Sequence, residues 1–388
     1  MLTTVTGSPS HARAALPFVR ALEGTEHEVV VACPPDLARV FDGAPARVEP
    51  VLTPMSEAAA RFVPQIQALG PEPDPAAVVA RVFGGEHLVD EVRALRSACP
   101  APDLVLRDGG EFAGLLYAEE LGVPHLPAPS GAAHVLDPAH LGPLLDERRT
   151  ALGLATPASD SLTPYGRLDC MPPSFSFAPD WLPEPFAFRQ DDEVDRGGRL
   201  PEWVAALPAG RPLVLASLGT ALPMMKDAGR TPPGGPPADP AAGLRALVAG
   251  ANDVDAEIVV ATGGLECEVA PAPHVHLERW VPQPLLLQVT DALVTHGGYN
   301  TVREAVRHGV PMVAFPQFGD QFASAGRISS LGLGRQVDGD SLAEGLTAVL
   351  ADAAVRGRAR AAQRAMLALP AIGADWPAVV DRRWSHDG

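Results

Sequence analysis

Residues 291–321 read DALVTHGGYNTVREAVRHGVPMVAFPQFGDQ, and this stretch decides the fold. The apolar run at residues 292–295 predicts a short strand, and the pattern after the His-Gly-Gly turn predicts a helix that ends near His308. Gly309 gives that helix its expected stop, and residues 312–315 form the next predicted strand. A strand, a glycine turn, a helix and a second strand in this order are typical of a parallel α/β sheet.

The turn His296-Gly297-Gly298 predicts an anion site. Glycine lets main-chain N–H groups come close to a ligand, and a helix N-terminus carries unpaired donors and about half a positive charge. Asn300 or Thr301 is the predicted N-cap, and His296, protonated or as a hydrogen-bond donor, adds to the site. We expect a pyrophosphate here, although two glycines alone also fit an ordinary strand-to-helix connection.

The rest of the stretch carries a longer signature. Its members are His296-Gly297-Gly298-Tyr299-Asn300-Thr301, Glu304, Pro316 and Asp320-Gln321. With matching spacing, this pattern resembles the donor signature of the family 1 nucleotide-sugar glycosyltransferases. It is most similar to the branch that decorates antibiotics and other natural products in actinomycetes, and a weaker similarity extends over nearly the whole chain. The resemblance implies a GT-B fold, in which two Rossmann-like doubly wound domains face each other across a cleft, and inversion at the anomeric carbon.

The resemblance also implies a set of donor-binding residues in the second half. The set comprises a pyrophosphate group, a nucleoside group and a sugar group: Ser217, Thr220, His296, Gly298, Asn300 and Thr301; Trp280, Val281, Gln283 and Glu304; Asp320 and Gln321. For Trp280 a place in the hydrophobic core is the alternative, and for the last two residues a capping role in a loop.

Glycosidic bond formation by inversion requires a base for the acceptor hydroxyl group. His11 begins a predicted helix over residues 11–22, and an imidazole with a pKa of about 6.5 is suited to take that proton. Asp108 follows the predicted strand at residues 104–107 and can hydrogen-bond the other ring nitrogen, as in a serine-protease triad. The resemblance implies that His11 and Asp108 are catalytic; a structural helix donor and a turn residue are the alternatives.

The acceptor is expected to contact the loops at residues 55–90 and 130–170, where little pattern is readable. Asp137 and His134 remain open as alternative bases. Six residues line a cleft or belong to the core, and we favour the core: Phe62, Phe83, Leu88, His134, Leu136 and Tyr165.

Length, charge and cysteine usage restrict the class of protein. A chain of 388 residues suits two domains, and the formal net charge of −17 opposes nucleic acid and anionic membranes as partners. The four cysteines are far apart, so the sequence indicates neither a zinc site nor disulfides and fits a reducing cytoplasm. No signal peptide or membrane span is predicted, while the short first strand at residues 2–6 suggests that the true start lies upstream.

We place the acceptor-binding domain at residues 1–200, the nucleotide-sugar-binding domain at residues 201–365, and a C-terminal helix that packs back on the first domain at residues 366–388. The sequence Gly-Val-Pro follows a predicted helix and precedes a predicted strand once in each half, at residues 122–124 and 309–311. This correspondence indicates two similar units.

The predicted activity is an inverting, metal-independent transfer of a deoxysugar from a dTDP-sugar to a hydrophobic aglycone such as a polyketide, with a UDP-sugar as the other donor. No metal is expected, because His274 with His276 and the acidic run at residues 191–193 lack further ligands at suitable spacing. The sequence leaves a homodimer and the choice between attack from oxygen and attack from carbon open. The alternatives are a nucleotide-sugar epimerase or hydrolase of the same fold and a non-catalytic activator protein.

Overall fold

The computed structural model describes most of the chain, namely residues 1–68, 70, 74–131, 136–156, 162–191, 199–220, 222–223 and 239–382. The chain divides into two compact units, Met1–Arg189 together with Pro370–Gly388, and Gln190–Leu369. Residues 226–240, which are rich in glycine and proline, lie outside the described residues except for the last two.

The first unit contains a parallel sheet. Its strands are β1 Leu2–Thr4, β2 Val30–Ala32, β3 Arg47–Glu49, β4 Val105–Arg107 and β5 His125–Pro127, in the spatial order β3-β2-β1-β4-β5. The strand order reverses between β1 and β4, and in open parallel sheets ligands bind beside the carboxyl ends of strands at such a point. Thr4 pairs with Arg107 at this position, so the chain leaves both strands side by side.

Helices cover both faces of this sheet. They are α1 Pro9–Arg20, α2 Met55–Gln67, α3 Pro75–Phe83, α4 His87–Ala98, α5 Ala113–Leu121 and α6 Pro138–Leu152. The described part of this unit also contains 3₁₀ turns and a short parallel strand pair: Ala38–Phe41, Pro173–Phe175, β6 Leu168–Asp169 and β7 Phe186–Ala187.

The second unit repeats the architecture with six parallel strands. They are β8 Leu213–Ser217, β9 Glu257–Ala261, β10 Val275–Glu278, β11 Ala292–Thr295, β12 Met312–Ala314 and β13 Gly334–Gln336, in the order β10-β9-β8-β11-β12-β13. Its helices are α7 Glu202–Ala205, α8 Ala242–Ala251, α9 Gln283–Leu287, α10 Tyr299–His308, α11 Gln321–Ser330, α12 Leu342–Ala351 and α13 Ala353–Leu367. The order reverses between β8 and β11, which places the His-Gly-Gly turn at the switch point of this sheet.

The last helix, α14 Ile372–Val380, belongs to the first unit. Its Trp376 is fully buried and makes an edge-to-face contact with Phe18, at 5.3 Å between ring centroids. Arg189 forms a parallel bridge with Ala371, so both crossings of the chain between the units lie at one place in this unit.

The two Gly-Val-Pro segments have the same conformation. Gly122 and Gly309 end α5 and α10 in the left-handed region, with φ values of 65° and 68°. In both segments the N–H group of the following valine donates back to a carbonyl of the helix. Val123 donates to Ala118 at 3.0 Å, and Val310 donates to Ala305 at 2.9 Å. The predicted likeness of the two halves, each a doubly wound parallel α/β unit, is therefore confirmed.

The predicted N-cap of α10 is wrong. The helix begins at Tyr299, and its N-cap is Gly298, which has no side chain to cap it. The Oδ1 atom of Asn300 accepts a hydrogen bond from Arg303 inside the helix, which takes it away from the capping role. In the first unit the helix predicted from residue 11 begins at Pro9, because proline suits the first helical turn.

Candidate active site

His11 is the third residue of α1, directly after the turn that follows β1. Gly7 in this turn has a φ of 83°, a conformation that favours glycine. A β-carbon on Gly7 would lie 3.1 Å from Cγ and Nδ1 of His11, so the glycine also leaves room for the imidazole ring.

The structure brings His11 and Asp108 together. Asp108 directly follows β4, the neighbour of β1, and its Oδ2 lies 2.7 Å from Nδ1 of His11. The carboxylate side chain is fully buried, whereas 22% of the histidine side chain is exposed. This is the pairing that the sequence predicted; the catalytic roles of the two residues stay predictions.

The surroundings of Asp108 determine which nitrogen carries the shared proton. Burial acts to raise the pKa of Asp108, but the charge and hydrogen bond of His11, with hydrogen bonds from Ser130 and the N–H of Gly110, outweigh it and hold the pKa below its usual value. An ionised carboxylate can only accept, so Nδ1 of His11 is the donor and the lone pair of the neutral ring is on Nε2. Nε2 is the atom that can act as a base.

Sequence reasoning missed Arg107, the last residue of β4. Its side chain is 1% exposed, and Nη1 donates to the carbonyl oxygens of Asp108, Gly109 and Glu111, each at 3.3 Å. Nη2 donates to the carbonyl of Leu162 at 2.6 Å, and burial lowers the pKa of the guanidinium to about 10. Arg107 thus fixes the main chain that carries Asp108. The signal in the sequence was an arginine at the end of an otherwise apolar strand, immediately before an aspartate.

Of the two alternative bases, Asp137 and His134, the structure describes only Asp137. Asp137 caps α6 by accepting from the N–H of Ala139 at 2.9 Å, and it also bonds His140 at 2.9 Å. These bonds give it a structural role. His134 lies outside the described residues.

The expectation that the apolar residues near the acceptor loops belong to the core is confirmed for the described ones. Phe62, Leu88 and Leu136 are each 2% exposed. Phe83 and Tyr165 are partly buried and pack against core clusters of the same unit.

In the second unit, the ring of His296 lies between two glycines. Ser217 at the end of β8 pairs with Thr295 at the end of β11, which brings the two turns together. A β-carbon on Gly219, whose φ is 77°, would lie 2.6 Å from Cε1 of His296, and one on Gly298 would overlap with Nε2. The glycines that the sequence predicts for close approach to a ligand also make space for this ring.

His296 is a neutral imidazole in this setting. Burial lowers its pKa to about 4, against a smaller opposing effect of the hydrogen bond to the main-chain carbonyl of Ser217. This direction argues against the protonated form that the sequence left open. The Nδ1 atom is buried without a hydrogen-bond partner among the described residues.

The predicted nucleoside-binding residues lie beside the first turns of α10. Nε2 of Gln283 donates to Oε2 of Glu304 at 2.6 Å and to Oγ1 of Thr301 at 3.4 Å. Trp280 is 59% exposed, so its alternative place in the core is wrong, and Val281 is half-buried. Glu304 therefore needs to retain an acceptor position, beyond its bond to Gln283, in order to bind a ribose hydroxyl group.

The two residues predicted to bind the sugar differ from each other. Gln321 is 5% exposed, and its Oε1 accepts from the N–H groups of Gln317 at 2.8 Å and Phe318 at 3.2 Å. It shapes the loop after β12, in line with the alternative role in a loop. Asp320 is exposed at the N-cap of α11, where its side chain makes no capping bond.

Over the residues that the structure describes, no group of three or more histidine, cysteine or acidic side chains is arranged to hold a metal ion. His276 bonds Oε2 of Glu257 at 2.9 Å, and His274 lies 3.4 Å from the carbonyl of Ala251. Most of the acidic run at residues 191–193 lies outside the described part.

No described helix has the length and apolarity that a bilayer crossing requires. All four cysteines are free thiols.

Comparison with protein families gives one match to the second half of the chain. The model described as "Erythromycin biosynthesis protein CIII-like, C-terminal domain" matches residues 245–374. This range includes the His-Gly-Gly turn and all but two of the predicted donor-binding residues.

Two characterised relatives illustrate the sequence similarity. The chain is 39% identical to 4'-demethylrebeccamycin synthase of Lentzea aerocolonigenes over 135 residues, which are 34% of this chain but only 28% of that protein. It is 28% identical to L-demethylnoviosyl transferase of Streptomyces niveus over 353 residues, or 88% of this chain and 85% of the relative.

Solved structures show the same fold over the whole chain. Glycosyltransferase SnogD of Streptomyces nogalater has a TM-score of 0.72 at 26% identity, with 98% of both chains covered. Two structures at 23% and 21% identity, which show the fold alone, are complexes with thymidine diphosphate. The resemblance and the GT-B fold that the sequence predicted are thereby confirmed.

Proposed function

We propose that this chain, which belongs with the actinomycete antibiotic glycosyltransferases of the GT-B fold, transfers a deoxysugar from a dTDP-sugar to a hydrophobic natural-product aglycone with inversion of the anomeric carbon. The observation that carries the proposal is the hydrogen bond between His11 and the buried Asp108, at 2.7 Å. A protein that only binds sugar nucleotides has no need of a histidine whose tautomer is fixed by a buried carboxylate.

The first unit supplies the base. Nε2 of His11 takes the proton of the acceptor hydroxyl group as its oxygen attacks the anomeric carbon from the face opposite the diphosphate. The bond between the anomeric carbon and the phosphate oxygen breaks, and its electron pair leaves with the nucleoside diphosphate. Asp108 stabilises the imidazolium that forms, because its ionised carboxylate stays hydrogen-bonded to Nδ1.

The second unit binds the leaving group. The N-terminus of α10 offers main-chain N–H groups to the diphosphate, and the neutral His296 adds no charge to the site. Carboxylates next to a diphosphate are the usual mark of a metal-dependent transferase, and Glu304 is bonded to Gln283 instead. We therefore propose a metal-independent donor site and keep dTDP ahead of UDP, because the chain resembles the natural-product branch.

The test is a transfer assay in EDTA. Purified protein is incubated with dTDP-deoxysugars or UDP-glucose and a panel of hydrophobic aglycones, and the products are analysed by mass spectrometry and NMR. We expect an aglycone that gains the mass of a sugar residue, with the anomeric configuration inverted relative to the donor. Free sugar alone would indicate a hydrolase, an altered nucleotide sugar an epimerase, and nucleotide binding without any turnover an activator protein; each outcome contradicts the proposal.

A further inference from the structure

Arg303 is a buried cation without a carboxylate partner among the described residues. Its side chain is 2% exposed, and its Nε atom has no hydrogen-bond partner within the described part of the chain. Nη2 donates to Oδ1 of Asn300, and the guanidinium carbon lies 5.2 Å from the centroid of the Tyr299 ring. Both contacts are to neutral groups.

The other buried arginines of the described chain are compensated. Arg149 pairs with Glu119 at 2.8 Å, and Arg167 pairs with Asp169 at 2.8 Å. The arginine at the end of β4 donates to four main-chain carbonyls. Charges taken out of water are costly unless they are paired, so Arg303 is the exception that requires an explanation.

The position of Arg303 in the helix adds its positive charge to the positive end of the helix dipole. It lies one turn into α10, and its contact with Asn300 directs the guanidinium back toward the helix N-terminus, where the helix dipole is already positive. The N-cap, Gly298, has no side chain to cap this end. An uncompensated buried cation and the positive end of the helix dipole therefore belong to the same helical turn, and an anion there would balance both.

We propose that Arg303 is the buried counter-charge of the donor diphosphate and that it positions Asn300 for that group. The inference rests on the proposed function and adds a residue to it. Arg303 acts from beneath the first turn of the helix: its charge attracts the phosphates through a low-dielectric interior, and its bond to Oδ1 fixes the orientation of the Asn300 amide. Arg303 therefore contributes to the binding free energy of the diphosphate and not to that of the nucleoside.

Calorimetric titration of the full chain with dTDP and with thymidine tests the proposal. Arg303→Met keeps the length and apolar stem of the side chain but removes the charge, and it is expected to weaken dTDP binding about 10- to 100-fold while thymidine binding stays within about twofold. Arg303→Gln, which can still donate to Asn300, separates the charge from the hydrogen bond and is expected to weaken dTDP binding at least about tenfold. Arg303→Lys, which keeps the charge, should restore part of the lost affinity.

Arg307→Met is the matched control, because it is the same substitution in the last turn of the same helix, where the dipole favours a cation. This variant should bind dTDP within about twofold of the wild type. The thermal midpoint of unligated Arg303→Met should equal or exceed that of the wild type, since an uncompensated buried charge has been removed.

Two results would overturn the inference while leaving the proposed function intact. One is a wild type that binds dTDP and an Arg303→Met or Arg303→Gln variant that binds it equally well. The other is a parallel loss of dTDP and thymidine binding with a lower thermal midpoint, which would mean that Arg303 only holds the first helical turn together. If the wild type binds neither dTDP nor UDP, it is the proposed function that fails.

Discussion

Each unit places a histidine in or next to a glycine turn at the switch point of its sheet, and the two histidines have opposite surroundings. His11 is partly exposed and bonds a buried, ionised carboxylate at 2.7 Å. His296 lies between two glycines, lacks a carboxylate partner among the described residues and is kept neutral by burial, with a pKa of about 4. One fold therefore produces a group suited to proton transfer in one unit and a neutral group at the proposed anion site in the other.

The difference comes from the strand that neighbours each turn. In the first unit the adjacent strand β4 ends at Arg107, and the next residue, Asp108, places its carboxylate against the histidine. In the second unit the adjacent strand β8 ends at Ser217, whose main-chain carbonyl faces the histidine. Gly219, two residues later, has no side chain and so leaves room for the ring. The chemistry of a switch point thus depends on which residues follow the second strand, not on the histidine alone.

Removing the base should have the largest effect. His11→Ala is expected to lower kcat about 10²- to 10⁴-fold, because the acceptor proton loses its base, while the KM for the donor changes little. The measurement is steady-state kinetics with the aglycone that the transfer assay identifies. His27→Ala, a partly exposed histidine of the same unit, is the control and should keep wild-type turnover. Full activity of His11→Ala would mean that another group is the base.

Neutralising the partner of the base should have the next largest effect. Asp108→Asn keeps the shape of the side chain but cannot fix the Nδ1–H tautomer, so kcat should fall about 10²- to 10³-fold. Because the two residues act as one unit, the double variant His11→Ala/Asp108→Asn should be no slower than His11→Ala alone. Additive losses in this cycle would show that the hydrogen bond at 2.7 Å is structural.

A single methyl group should disturb the second turn. The φ of Gly298 is −59°, which alanine can adopt, so Gly298→Ala acts only by crowding the ring of His296. Overpacking costs about 1–3 kcal/mol, which corresponds to a rise in donor KM of about 5- to 150-fold with a smaller change in kcat. Gly326→Ala is the control, because a β-carbon there meets no atom within 4 Å. Equal donor KM values for the two variants would argue against a diphosphate at this turn.

The neutral state of His296 should appear as a loss of folding stability in acid. The pKa of His296 is about 4 in the folded chain, and an unfolded histidine titrates near 6.5, so the unfolded chain binds more protons between these values. Stability from this group is therefore present above pH 6.5 and is lost as the pH falls toward 4. Denaturant titrations at pH 7 and pH 4.5 should show a loss for the wild type that is smaller in His296→Gln by about 2 kcal/mol. Identical losses would mean that His296 titrates normally.

The sequence predicted the positions of the turns because the signals are local. A short apolar run, a glycine and a helical pattern determine each unit, and because the carboxyl ends of neighbouring parallel strands meet at one edge, Asp108 is expected beside His11. The strand predicted at residues 292–295 is confirmed, whereas those at residues 2–6 and 312–315 extend two residues and one residue too far, and the one at 104–107 begins one residue early. Gly122 and Gly309 were readable because proline follows each of them two residues later.

The buried charges could not be predicted. Arg107 and Arg303 have the same pattern as any arginine at the end of a strand or on a helix, and only their neighbours from other segments decide that both are buried. The N-cap at Gly298 and the neutral state of His296 also depend on contacts that the local sequence does not show. Asn300 is a good cap by residue type, but Arg303 takes its oxygen, and the burial of His296 depends on the turn after β8, which is distant in sequence.

Calorimetric titration of dTDP into His11→Ala and Gly298→Ala, side by side with the wild type in EDTA, tests the division between the two turns most directly. We predict that His11→Ala binds dTDP as the wild type does, whereas Gly298→Ala binds it at least about fivefold more weakly. Unchanged binding by Gly298→Ala, or a loss of binding in His11→Ala, would contradict the assignment of proton transfer to one turn and of the diphosphate to the other.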